Sequence, residues 1–126
     1  MTVVGGGDLV FRDFPGRSTA DPFAAAGQGA STVRQVTIEW VATRSPHRHP
    51  HSEEIVHVIS GHGRVWLDGT FHPVGPGHWY RIPTGTPHAT LADPGERLIL
   101  ACFFPHDDFA NNIEELDVVL DGKEPT

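Results

Sequence analysis

Hydrophobic positions fall in short extended runs separated by Gly and Pro, and a sustained period near 3.6 is missing. Over residues 33–41, VRQVTIEWV, Val36, Ile38 and Trp40 fall on one side while Gln35, Thr37 and Glu39 fall on the other, as in a strand with one buried face. Residues 54–59, EIVHVI, are apolar on both faces apart from the ends and His57. That pattern asks for cover from both sides, by a second sheet, an arm or another subunit. Residues 64–74 carry Asp68-Gly69 between two strand-like runs, which predicts a hairpin, because a type I′ turn needs positive φ at both central residues. Further strands are predicted at 9–12, at 78–82 before Pro83, and at 97–104 before Pro105. Residues 15–31 are small and turn-rich and predict a loop with one helical turn at 23–26. The tail from His106 predicts one short helix around 109–116. Short strands with turns about 8–12 residues apart define an all-β barrel or sandwich.

Composition narrows the function. A chain of 126 residues makes one domain. Its parts are an N-terminal arm and loop (1–32), a barrel core (33–105) and an acidic tail (106–126). The single Cys102 excludes an internal disulfide framework and reads as a small core residue. Net charge is −7 with no cluster of Lys and Arg, which argues against nucleic acid as a partner, since phosphate binding needs a basic footprint. No apolar run approaches a membrane span, and MTVVGGGDLV does not resemble a signal peptide. A cytoplasmic protein with no membrane partner is the expectation. Nine histidines equal the sum of Lys and Arg and point towards metal chemistry.

Four of those histidines lie in HRHPHSEEIVHVISG, residues 47–61. His47 and His49, two apart on a strand, point to one side and can reach one ion. Alone, His-x-His is better explained by two half-exposed loop histidines near Pro46 and Pro50. The continuation is His47-x-His49-x4-Glu54-x6-Gly61, followed by Gly77-x5-Pro83-x-Gly85-x2-His88-x3-Ala92. Together these resemble the two motifs of the cupin superfamily. The chain departs from them at Val41, where the first motif begins with Gly, and at Ala92, where the second ends with Asn. The resemblance implies an all-β cupin fold, a double-stranded β-helix or jelly-roll barrel. It also implies that His47, His49, Glu54 and His88 hold one divalent transition metal ion. Three imidazoles and a carboxylate suit Fe, Mn, Ni, Co, Cu or Zn, and a six-coordinate ion would keep two open positions.

The other polar candidates have plainer readings. His51 is a solvated loop histidine, Glu53 faces away from Glu54, and His57 shares the face of Ile55 and Ile59 as a packed or interface residue. His62, His72 and His106 are explained by exposure. His78 and Tyr80 alternate with Trp79 and Arg81, and either pair faces the interior. Val56, Val58, Ile38 and Trp40 would wall a pocket, with either Leu98, Leu100, Cys102 and Phe104 or their neighbours. Such a lining suits a small, partly apolar organic substrate.

Cupin reactions are diverse, so the fold does not select one. The leading expectation is a metal-dependent enzyme of dioxygenase type. The alternatives are an isomerase, lyase or cyclase using Tyr80, His78 or His51 as acid or base, and a non-catalytic ligand-binding cupin with a structural metal. A homodimer is expected from the doubly apolar strand 54–59 and from the way small single-barrel cupins pair, with residues 1–32 as the arm.

Overall fold

The short extended runs become strands in the computed structural model, which describes residues 2–27 and 29–121. One sheet has the order β1 (Phe11–Phe14), β2 (Arg17–Ala20), β3 (Thr32–Glu39), β11 (Arg97–Phe104), β6 (Glu54–Ser60) and β9 (Trp79–Ile82). The other runs β12 (Glu114–Glu115), β5 (His47–Arg48), β10 (His88–Ala92), β7 (Gly63–Leu67) and β8 (Thr70–Val74). A short pair, β13 (Leu120–Asp121) with β4 (Thr43–Arg44), stands apart. Neighbours are antiparallel throughout. Non-consecutive neighbours such as β3–β11–β6 and β5–β10–β7 give the jelly-roll interleaving that the motif resemblance implies. The only helical element among the described residues is a 3-10 turn at Gly6–Asp8, so none is long and apolar enough to cross a membrane.

The core lies between the two large sheets. Ile38, Val56, Val58, Leu98, Leu100 and Phe104 from the first meet Val65, Val74 and Ala92 from the second. Along β11 the even residues Leu98, Leu100, Cys102 and Phe104 are buried, which decides the phase that alternation alone leaves open. In β6 the inward residues are Glu54, Val56 and Val58. Its outward residues Ile55, His57 and Ile59 are less covered, and Ile59 is 47% exposed. The register slips by one between Ile99 and Leu100, leaving Ile59 as a bulge.

Two turns show why particular residues are required. Asp68 (φ 44°) and Gly69 (φ 99°) close the β7–β8 hairpin with the two positive φ angles that a type I′ turn needs. Gly61, at φ 89°, leaves β6 where a Cβ would strike the backbone carbonyl of Arg97, so both conformation and space favour glycine.

Three expectations are corrected. Residues 15–31 are not all loop, because β2 occupies Arg17–Ala20. Pro15 and Gly16 turn the chain between the Phe14–Arg17 pair, and β3 supplies hydrogen bonds that R-S-T-A would not find locally. The helix around 109–116 is replaced by a turn, Asn112 N–H donating to the Phe109 carbonyl at 3.0 Å, and by β12. Finally Trp40 is not a wall residue: β3 pairing ends at Glu39–Arg97, and beyond it Trp40 is 40% exposed. The motif departure at Val41 is accommodated by close packing, since a Cβ on Gly16 would strike the Val41 side chain.

Candidate metal centre

β5 and β10 lie side by side in the second sheet with His47 directly opposite His88. His49 follows one strand step later, between Arg48 and Pro50, and Glu54 enters from the start of β6 on the facing sheet. Gly85 N–H donates to the His49 carbonyl at 2.8 Å, tying the turn before His88 to the first histidine pair. The ring centroids of the three histidines are 4.4–5.0 Å apart. One nitrogen of each lies within 4.8 Å of the others. Glu54 Oε1 is 3.2 Å from Nε2 of both His49 and His88. His49, Glu54 and His88 are buried, and His47 is half-buried.

The protonation pattern tests whether these residues suit a cation. His49 Nδ1 lies 2.7 Å from the Asn112 carbonyl, and His88 Nδ1 lies 2.9 Å from the Thr86 carbonyl. A carbonyl only accepts, so both Nδ1 atoms carry the proton and both Nε2 atoms present a lone pair. Those two buried Nε2 atoms have no hydrogen-bond partner, and they converge on a carboxylate oxygen, which is also an acceptor. Three acceptors facing one point need a cation among them. The backbone-anchored imidazole is the usual arrangement of a metal-ligating histidine. Burial, with His88 facing it, holds the His47 imidazole well below the usual histidine range, and a neutral imidazole is the form that ligates. For Glu54, burial pushes the carboxyl up. The His49 and His88 imidazoles set against it outweigh that effect and hold it at about 2, so it is a carboxylate. The residues present therefore fit a divalent transition metal ion.

The four residues line a cavity of about 140 Å³. Val36, Ile38, Val56, Leu100 and Phe104 provide much of its wall. Tyr80 pairs with Val56 across β6–β9 and so shares its inward face. The phenol lies 2.6 Å from Thr90 Oγ1 and lines the cavity. Burial pushes its pKa far above the usual tyrosine value, leaving a neutral hydroxyl.

The other proton-transfer candidates stand elsewhere. His78 is exposed, with Nδ1 accepting from Gly75 N–H at 2.9 Å. His51 is exposed and stacks on His106 with centroids 5.7 Å apart. Neither lines the cavity. Glu53 pairs with Arg81 at 2.9 Å, and His57 stacks on Trp79 at 4.0 Å. Cys102 lines the cavity as a buried thiol, pushed up by burial and the Glu54 charge, and is no thiolate.

Three contributors lie outside the motifs. Asn112, whose side chain is fully buried, accepts from His51 N–H at 2.8 Å and donates to Ser52 Oγ at 2.8 Å while its carbonyl holds His49. Arg17 and Arg44 also line the cavity. Only an Asn within an acidic tail and two scattered arginines were visible in the sequence, and no spacing rule links them to the histidines.

Comparison with known proteins agrees with this geometry. The sequence profile of the cupin domain matches residues 34–104, more than half of the chain, and the protein belongs to the cupin family. No curated protein sequence matches it. Among solved structures, the chain is similar to KdgF from Halomonas sp., at 22% identity over 86% of this chain and 96% of that one, TM-score 0.71. It is also similar to the polyketide cyclase RemF from Streptomyces resistomycificus, at 20% identity over 96% and 84%, TM-score 0.74. A third likeness is to the oxalate decarboxylase of Lactobacillus farciminis in its formate complex, at 23% identity over 87% of this chain and 34% of that one, TM-score 0.71. At these identities the likeness is one of fold.

Proposed function

We propose that this cupin is a metal-dependent enzyme acting on a small organic substrate, with His47, His49, Glu54 and His88 as the ligands of one divalent transition metal ion. The observation that carries the reading is the pair of buried Nε2 lone pairs directed at the Glu54 carboxylate, on the wall of a cavity lined largely by apolar side chains. An ion held there would supply Lewis-acid polarisation of a substrate oxygen. The protein would hold the rest: an apolar wall that excludes water, and Tyr80, whose neutral hydroxyl can keep or deliver a proton beside the bound molecule.

Among the finer readings, that hydroxyl favours a proton-transfer reaction of isomerase, lyase or cyclase type. A cyclase and a decarboxylase on the same fold are in keeping with it. Dioxygenase chemistry on a chelated substrate is the second reading, in keeping with three clustered histidines and an adjacent Glu54 on the wall of one cavity.

Elemental analysis of purified protein tests the first claim, with about one ion per chain expected. The reading fails if no metal is found and the quadruple alanine variant of the four ligands is equally stable. Oxygen uptake with any molecule retained in the pocket separates oxygenase from proton-transfer chemistry. We further propose a homodimer joined through the outer face of β6 and β9, where Trp79 is 68% exposed and stacks on His57 beside Ile59. A monomer in sedimentation analysis would remove that proposal.

A further inference from the structure

The cavity wall carries charge that the metal site does not use. Arg17 of β2 and Arg44 of β4 both line it, and neither side chain forms a hydrogen bond or ion pair among the described residues. This is unexpected in a chain with 16 acidic and nine Lys or Arg residues. Arg48, Arg81 and Arg97 each pair with a glutamate within 2.9 Å. Arg34, the third arginine of the cavity, is engaged by Asp21 at 3.3 Å and lies 4.8 Å over the Phe109 ring.

Arg17 and Arg44 instead face each other's field. Burial lowers the Arg44 guanidinium to about 10, and the Arg17 charge adds to the effect. Glu115 offsets it from a distance without forming an ion pair. Both arginines line the same cavity as Tyr80 and the four residues of the metal cluster. Arg17 lies 5.3 Å over the Phe14 ring, a contact that orients a guanidinium without neutralising it. Two half-buried like charges share a largely apolar cavity whose one carboxylate, Glu54, belongs to the metal cluster and forms no ion pair with either; such a pair is satisfied when an anion enters.

We propose that the substrate is a small organic acid in which a carboxylate, additional to the oxygens directed at the metal cluster, is received by Arg17 and Arg44. The inference rests on the metal-enzyme reading for the first end of the molecule and on the arginine pair alone for the second. A guanidinium presents parallel N–H donors that match a carboxylate in two-point contact. Phe14, Ile38 and Leu100 line the same cavity and suit a short carbon skeleton between the two ends. Selectivity then comes from the arginines: a compound that chelates the ion but lacks the second carboxylate leaves their donors unmatched.

The test uses the full chain loaded with manganese(II), checked for one ion per chain, and calorimetric titration with matched acids. The pairs are malate against 2-hydroxybutanoate and 2-oxoglutarate against 2-oxopentanoate, which chelate alike and differ in the second carboxylate. At least one diacid should bind tenfold or more tightly than its monoacid. The Arg17→Met/Arg44→Met double variant should lose that preference while keeping its metal content and its affinity for the monoacid within about twofold. Arg44→Lys, which keeps the charge and loses the fork, should fall between, and it carries the test if the double variant does not fold. No diacid preference in the wild type, or a preference that survives in the variants, overturns the proposal. If the chain takes up no metal, the metal-enzyme reading fails separately. The arginine site is then judged by thermal stabilisation of metal-free protein by each diacid over its monoacid: loss of that stabilisation in the arginine variants supports the proposal, and its absence in the wild type overturns it.

Discussion

Replacing Asn112 with alanine should damage both the fold and the metal centre, although the residue is no ligand. Its side chain is fully buried and makes two hydrogen bonds, from His51 N–H and to Ser52 Oγ, each 2.8 Å. Alanine strands the partly buried His51 N–H, at about 1–3 kcal/mol for an unmade buried bond. Ser52 loses less, because its hydroxyl still donates to the Glu53 carbonyl at 3.0 Å. Together the loss is about 2–4 kcal/mol, a fall in Tm of about 6–15 °C for a domain of this size. The turn that carries the Asn112 carbonyl then loosens, and with it the 2.7 Å bond that orients His49. Loss of such an orienting bond weakens metal affinity about 10–100-fold. Thermal unfolding of metal-free protein reads the first effect and competition with a chelator reads the second. An unchanged Tm would refute the accounting of buried bonds. A lowered Tm with unchanged metal affinity would refute the claim that Asn112 positions His49.

Substituting His47 or His88 by alanine should bring metal content from about one ion per chain to near zero on elemental analysis, with the barrel retained in circular dichroism. Tyr80→Phe removes the 2.6 Å contact with Thr90, costs about 1 kcal/mol in urea unfolding, and should lower turnover about 100-fold if the hydroxyl carries the proton. Because burial raises the Tyr80 pKa, the rate should show no basic limb from a tyrosine near pH 10. Burial, with His88, depresses the His47 pKa, so below about pH 6.5 the unfolded chain takes up that proton before the folded one does. Metal-free protein should therefore be most stable above that pH and lose stability steadily as pH falls from it towards the folded value. His47→Ala should flatten the slope of the urea midpoint between pH 5 and 7. Gly61→Ala combines a left-handed φ with a clash on the Arg97 carbonyl and should destabilise by about 2 kcal/mol or more; wild-type stability would contradict the placement of that turn.

The fold was legible because its information is local and periodic. Alternation marked β3, short runs bounded by Gly or Pro marked β6, β9 and β11, and Asp68-Gly69 marked the β7–β8 hairpin, since pleat and turn geometry act over a few residues. Local information ran out at β2, where R-S-T-A becomes a strand only because β3 offers an edge, and at 109–116, where a buried Asn112 and the pairing of Glu114 with Arg48 overrode helical spacing. The inward face of β9 was equally undecidable from its own residues. It is set by the pairing of Tyr80 with Val56, a partner 24 positions away (80 − 56).

Residue identity and spacing determined that His47, His49, Glu54 and His88 could share an ion, and that a barrel of short strands would carry them. Convergence belongs to the tertiary structure. It set Glu54 Oε1 against two lone pairs, brought the tail back so that Asn112 anchors His49, and placed Arg17 and Arg44 on the wall of the same cavity. The physical reason is that spacing along one strand fixes which side a residue faces. What it meets there depends on chain segments that approach through long-range pairing, and no local rule records them.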